Sequence, residues 1–209
     1  MLDLVLPVEC GGCGAPSTRW CPACAAELTV RPDEPHVVSP REDPGVPVLA
    51  LGRYAGARRR AVVGLKEHGR TDLVAPLADA VAAALRNLIA WGVIVPPLTV
   101  VPAPTRSLAA RRRGGDPVTK IARAATAGLP GVTVEPALVM RAFARDSVGL
   151  SSAQRQRNIH GRVRQRSRVR GEVVVFDDVV TTGATAAEAV RVLQTSGAQV
   201  SAVLAIAHA

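Results

Sequence analysis

Residues 172–185, EVVVFDDVVTTGAT, constrain the fold more than any other part of the chain. Residues 173–176 form an unbroken apolar run, rich in β-branching. Without alternation, such a run predicts a parallel strand buried on both faces. It ends in two adjacent acids, Asp177 and Asp178, followed by the loop Thr181-Thr182-Gly183-Ala184-Thr185. A helical run over residues 186–196 comes next, Gly197 stops it, and residues 200–206 return as a second strand. This is a right-handed β–loop–α–β crossover in a parallel sheet. Its chemistry suits a sugar phosphate. Backbone N–H groups at the positive helix end take the phosphate, threonine hydroxyls add donors, and the acids accept from ribose hydroxyls. The plainer alternative is a buried strand with a polar turn, but two neighbouring acids at the edge of a core need a reason.

The rest of the chain continues the α/β alternation. Residues 48–54 read as a short strand and 57–68 as a helix closed by Gly69. Lys66, near the end of that helix, is either a surface charge or a group aimed at a phosphate. Residues 72–91 carry the clearest helical pattern, with Leu73, Leu77, Val81, Leu85 and Leu88 at helical spacing. Thr71 can cap it, and Pro76 sits near the opening turn, where it costs least. Residues 98–101 are the next buried strand and run into Pro102-Ala103-Pro104-Thr105-Arg106, a second candidate anion loop. Asp116-Pro117 begins a further helix, with aspartate as N-cap and proline at its first position. Short strands follow at 132–134 and 138–140, then an exposed loop at 146–150. Ser151-Ser152-Ala153-Gln154 fits a capping box that opens a short helix bearing Arg155 and Arg157. Arg162, Arg164, Arg166, Arg168 and Arg170 alternate with other residues, so an extended segment would place all five on one face. That face is either a solvated edge strand guarded by charge or a phosphate-binding stripe.

The chain has 209 residues, 48% hydrophobic but only 2% aromatic, so its core must be built from Val, Leu, Ile and Ala. That length suits one domain with a small appendage. No uninterrupted apolar run approaches the roughly 18 to 20 residues of a membrane span. The first residues, MLDLVLPVECGGC, place an acid where a signal peptide carries positive charge, so the reading is cytoplasmic. The net charge of +9 is concentrated: residues 104–170 hold fifteen Lys and Arg against three acids, and the remainder holds eleven against fourteen. Such a patch implies an anionic partner, either a phosphorylated metabolite or nucleic acid, unless the arginines merely decorate solvated faces.

All four cysteines lie together as Cys10-x2-Cys13-x7-Cys21-x2-Cys24. Two C-x2-C knuckles predict tetrahedral Zn²⁺, and four thiolates with no open position favour a structural ion. The alternative of two disulfides sits poorly with a reducing compartment. Residues 30–47 are proline-rich and charged and read as a linker or irregular extended segment, with His36 a surface residue rather than a ligand. The division expected is a zinc module at 1–29, a linker at 30–47 and a main domain at 48–209.

With these motifs in place, VVVFDDVVTTGAT resembles the phosphoribosyl-pyrophosphate (PRPP) motif of type I phosphoribosyltransferases. The wider pattern resembles the ComF family of competence-associated, phosphoribosyltransferase-like proteins over nearly the whole length. The resemblance is carried by the paired C-x2-C knuckles, Tyr54 and Lys66, the VPAP turn with RRRG, and GLSSAQRQRN before the final motif. The chain departs from it after Gly114, where Gly115-Asp116-Pro117 follows.

The resemblance implies a type I phosphoribosyltransferase fold, a parallel sheet flanked by helices with a hood region, beside the zinc module. Asp177 and Asp178 would bind the ribose 2′ and 3′ hydroxyls. Thr181, Thr182, Gly183, Ala184 and Thr185 would wrap the 5′-phosphate. Ala103, Pro104, Thr105 and Arg106 would face the pyrophosphate with Mg²⁺ between, and Lys66 joins the PRPP-binding set. Arg155 and Arg157 would reach over the pyrophosphate from the hood and join the two aspartates as catalytic residues. The implied reaction transfers phosphoribosyl from PRPP to an acceptor with release of pyrophosphate. A second reading is a non-catalytic scaffold in DNA uptake, binding single-stranded DNA or a competence helicase partner. The scarcity of aromatics argues against base stacking in that role.

Overall fold

The computed structural model describes residues 8–104, 116–140 and 161–209. The expectations for Thr105, Arg106, the Arg111–Arg113 run, the capping box at Ser151, Arg155 and Arg157 fall outside those residues. The described elements are α1 (Pro22–Leu28), β1 (His36–Val38), β2 (Val48–Ala50), α2 (Gly56–Glu67), a 3₁₀ turn (Thr71–Leu73), α3 (Val74–Ala90), β3 (Leu98–Pro102), α4 (Pro117–Thr126), β4 (Val132–Val134), β5 (Leu138–Met140), β6 (Val163–Gln165), β7 (Gly171–Val180), α5 (Ala184–Thr195) and β8 (Ala198–His208).

A mostly parallel mixed sheet, ordered β1-β2-β8-β7-β3-β4, forms the centre, with only β1 antiparallel to its neighbour. β5 and β6 pair separately as an antiparallel ribbon. β7 shows why its sequence lacks alternation. Val174 and Phe176 face the layer that holds α2, α3 and α4, whereas Val173 and Val175 face α5. All four are at most 1% exposed. Burial on both faces demands apolar residues at every position, which is how the strand reads in sequence.

Helix boundaries follow local chemistry closely in α4. Asp116 caps it through Val118 and Thr119 N–H groups, and Pro117 occupies the first turn. α3 departs from expectation. Thr71 does not cap it; a 3₁₀ turn precedes it, tied down by the ion pair from Arg70 to Asp72. The helical stretch Thr71–Ala90 is long and apolar enough to cross a membrane by length and composition. Its Leu73, Leu77, Val81, Leu85 and Leu88 are nonetheless almost completely buried against α2, α4 and the sheet.

Two further expectations are corrected. β7 does not end at the acids but continues through them to Val180, because β8 runs beside it as far as His208. The five arginines from Arg162 to Arg170 do not lie on one extended strand either. β6 covers only residues 163–165, and the chain bends before β7 begins. Val163 and Val169 are buried while Arg164, Arg166, Arg168 and Arg170 stay exposed, so the alternation marks an inside and an outside without a continuous strand.

Residues 30–47 are pinned to the body at several points. Asn87 on α3 donates to the Arg31 and Glu34 carbonyls, β1 pairs with β2, and the Pro47 carbonyl accepts from the Val203 N–H.

Among the described residues Phe176 is the largest fully buried side chain, and it sits where β7 meets both β3 and β8. Phe176→Ala is expected to lower unfolding stability by about 3–5 kcal/mol through lost burial and a residual cavity, read from denaturant midpoints.

Candidate functional site

β3 and β7 are parallel neighbours, yet the helices that follow them lie on opposite faces of the sheet: α4 packs in one layer, α5 in the other. That is a topological switch point, and in open α/β sheets ligands bind in the crevice outside the carboxyl ends of such strands. β3 leaves β7 at the Pro102–Phe176 pairing, and the Ala103 N–H still donates to the Phe176 carbonyl at 2.7 Å. Beyond that point, among the described residues, β7 keeps a strand partner on the β8 side only, and there it presents Asp177 and Asp178.

The two acids are held differently. The Asp178 N–H donates to Asp177 Oδ1 at 2.8 Å, and the Val179 N–H donates to Asp178 Oδ1 at 2.7 Å. Asp178 is 4% exposed and its Oδ2 takes an ion pair from Lys66 Nζ, delivered by the last turn of α2. Burial pushes the Asp177 carboxyl well above its ordinary range, and the neighbouring Asp178 charge pushes the same way; Lys66 opposes both only in part. Burial works against the Lys66 ammonium, but the charge and hydrogen bond of Asp178, aided by Asp177 and Tyr54, raise its pKa overall. Lys66 is therefore tied to the acid pair and is not a stray surface charge. Tyr54 also stacks beneath Arg59, whose guanidinium lies 5.9 Å from the ring centre.

After Val180 the chain turns through Thr181 and Thr182 into Gly183, which has a φ of 88° and opens α5 without a side-chain cap. A left-handed residue there calls for glycine. The first-turn N–H groups of α5 point out of the helix toward this loop. Ala103, Asp177, Asp178, Lys66 and the residues Thr181 to Thr185 thus belong to one end of the sheet. Pro104 closes β3's exit at the limit of the described residues.

Sequence reasoning missed Glu188, which is 1% exposed on α5, four residues after Ala184. It accepts two hydrogen bonds from Arg191 and one from the Gly161 N–H at 2.7 Å, anchoring the segment that leads into β6. The spacing Glu-x-x-Arg was visible, but nothing in it distinguishes a buried pair from a solvated one.

The cysteines form a separate centre. The sulfurs of Cys10, Cys13, Cys21 and Cys24 lie within 4.8 Å of one another, and none is in a disulfide. Tetrahedral Zn–S bonds of about 2.3 Å require sulfur separations of that order, so the set fits zinc. Gly12 and Cys21 donate their N–H groups to Cys10 Sγ at 3.4 and 3.3 Å. Burial alone would raise the Cys10 thiol, but backbone N–H groups of Cys13, Cys21 and Gly12 hold it down at about 6. The cluster docks on α2: Glu27 accepts from the Ala57 N–H at 2.8 Å, and Arg60 donates to the Gly12 carbonyl at 3.1 Å.

No family model matches the chain, and no curated protein matches it. Among solved structures it is similar to the UMP synthase of Leishmania donovani, at 18% identity and a TM-score of 0.38. The match covers 72% of this chain and 24% of that protein.

Two outcomes test the acid pair. The folded Asp177 pKa lies above its ordinary 3.8, so the folded state holds that proton longer and stability falls as pH rises through the folded value. Asp177→Asn is expected to flatten that decline and raise the neutral-pH melting temperature, by about 2–4 °C for each kcal/mol relieved. Lys66→Met removes the cation facing Asp178 and is expected to cost about 1–3 kcal/mol in denaturant unfolding.

Proposed function

We propose that this chain is a phosphoribosyltransferase-like protein of the ComF type that binds PRPP and transfers its phosphoribosyl group to an acceptor. The observation that carries the reading is the acid pair, Asp178 buried and Asp177 half-buried, next to a glycine-opened helix at a topological switch point. Asp177 and Asp178 hold the ribose hydroxyls, and Thr181, Thr182, Gly183, Ala184 and Thr185 enclose the 5′-phosphate. Ala103, Pro104, Thr105 and Arg106 face the pyrophosphate. Residues 1–29 act as the zinc module and 48–209 as the transferase domain, joined by 30–47, in a cytoplasmic setting where the thiols stay reduced.

The bond broken joins C1 of the ribose to pyrophosphate oxygen, and the bond formed joins C1 to the acceptor. C1 becomes cation-like between the two events. The chain's contribution is positioning and charge. The ribose is clamped through its hydroxyls, the phosphate anchors the far end, and Arg155 and Arg157 supply positive charge over the departing pyrophosphate. Lys66 is paired with Asp178 before substrate arrives and places a positive charge beside the ribose clamp. Mg²⁺ fits the donor set, because adjacent carboxylates and substrate phosphates are the hard oxygens it takes. When bound, it neutralises pyrophosphate. Zinc holds the N-terminal knuckles and takes no chemical part.

A scaffold role in DNA uptake and natural transformation is the second reading, with single-stranded DNA or a competence protein as partner. Exposed Arg164, Arg166, Arg168 and Arg170, and a groove beside the cysteines edged by Arg59, Arg60, His68 and Arg70, favour it.

Calorimetry with PRPP and Mg²⁺ tests the first reading. Binding is expected in the wild type and should fall by roughly 100-fold or more, about 2.7 kcal/mol, when Asp177→Asn and Asp178→Asn are combined. Absence of binding to the wild-type protein would overturn it. For DNA, affinity must drop steeply between low and physiological salt; a flat response rules out the arginines as the contact.

A further inference from the structure

The loop that opens α5 is not built from its own residues alone. Residues 40–42 cross over it. The Glu42 N–H donates to the Thr182 carbonyl at 2.8 Å. Gly183 lies so close beneath that a Cβ placed on it would sit 2.4 Å from the Glu42 carbonyl oxygen and 2.7 Å from Pro40 Cβ. Contacts that short exclude any side chain, so Gly183 answers to the crossing strap as well as to its own positive φ. The strap is fixed at both ends, by β1 pairing with β2 and by the Pro47 carbonyl on the Val203 N–H.

This contact dictates a direction. The Thr182 carbonyl and the Gly183 N–H share one planar trans peptide and point opposite ways. Turning the carbonyl toward Glu42 therefore turns the Gly183 N–H away from the strap, to the open side of the loop. Among the described residues no protein acceptor meets that N–H. A free loop would let this peptide flip, and a flipped peptide would present a carbonyl oxygen to an incoming anion.

We propose that residues 40–42 are a positioning element of the phosphate loop: the Glu42 backbone N–H, acting through the Thr182 carbonyl, holds the Gly183 N–H toward bound phosphate. The proposal deepens the phosphate-binding reading given above and rests on it. The Glu42 side chain has no part in it.

Inorganic phosphate titrated into the full-length protein, followed at the Gly183 amide by NMR, is the test. The wild-type amide should shift and saturate. Glu42→Pro, which deletes the donor, should weaken phosphate binding about tenfold, whereas Glu42→Ala, which keeps it, should stay within about twofold. Wild-type affinity in Glu42→Pro, or equal loss in both variants, overturns the proposal. Should Glu42→Pro fail to fold, Pro40→Gly combined with Arg41→Gly slackens the strap while keeping every N–H. Glu42 amide protection and phosphate affinity should then fall together, and lost protection with unchanged affinity overturns the idea. A wild-type protein that binds phosphate at Gly183 but not PRPP sinks the transferase reading and leaves the strap standing. No Gly183 response in the wild type sinks both.

Discussion

Two carboxylates placed side by side in a buried strand are the constraint around which the molecule is arranged. Removing such charges from water is costly unless they are paired, hydrogen-bonded or protonated. This chain uses all three devices. Asp178 receives Lys66 from a different element, both acids accept from the following backbone N–H, and Asp177 is driven toward its neutral form by burial and by its neighbour. Satisfying Asp178 fixes where α2 must end, and the start of α2 in turn seats the cysteine cluster.

The crevice itself follows from chain direction. β3 and β7 run parallel, but the next described helix after each packs on the opposite face of the sheet. β7 then outlasts β3 while β8 keeps pace with it. Among the described residues, β8 thus flanks the acids on one side while the β3 pairing has ended on the other.

Much of this was legible in the residues. The run at 173–176 announced a doubly buried strand because each position touches one core layer or the other. Asp116-Pro117 announced a helix start because capping is local, involving only the next three residues. Four cysteines in two knuckles announced their own convergence. What stayed hidden depended on distant partners. The length of β7 is set by β8, which no feature of residues 177–180 encodes. Thr71 looked like a cap, but Arg70 and Asp72 pull the chain into a 3₁₀ turn first. The arginine alternation reported burial correctly through Val163 and Val169 and misled only about extension. Residues 40–42 carried no signal because their contact with Gly183 is made by backbone atoms, which every sequence possesses.

The docking of the cysteine module also bears on how this architecture can vary. Glu27 supplies the carboxylate that receives the Ala57 N–H in the first turn of α2, and Gly56 must lack a side chain for it to approach, since a Cβ there would fall 2.1 Å from Glu27 Oε1. Leu28 and Trp20 pack into the same core as α2 and α3. Helix start and module are thus two halves of one joint, spread over 30 positions of chain. A lineage cannot trade one half without remaking the other, so the knuckles, the glycine at 56 and the start of α2 should be inherited, exchanged or discarded as a single unit.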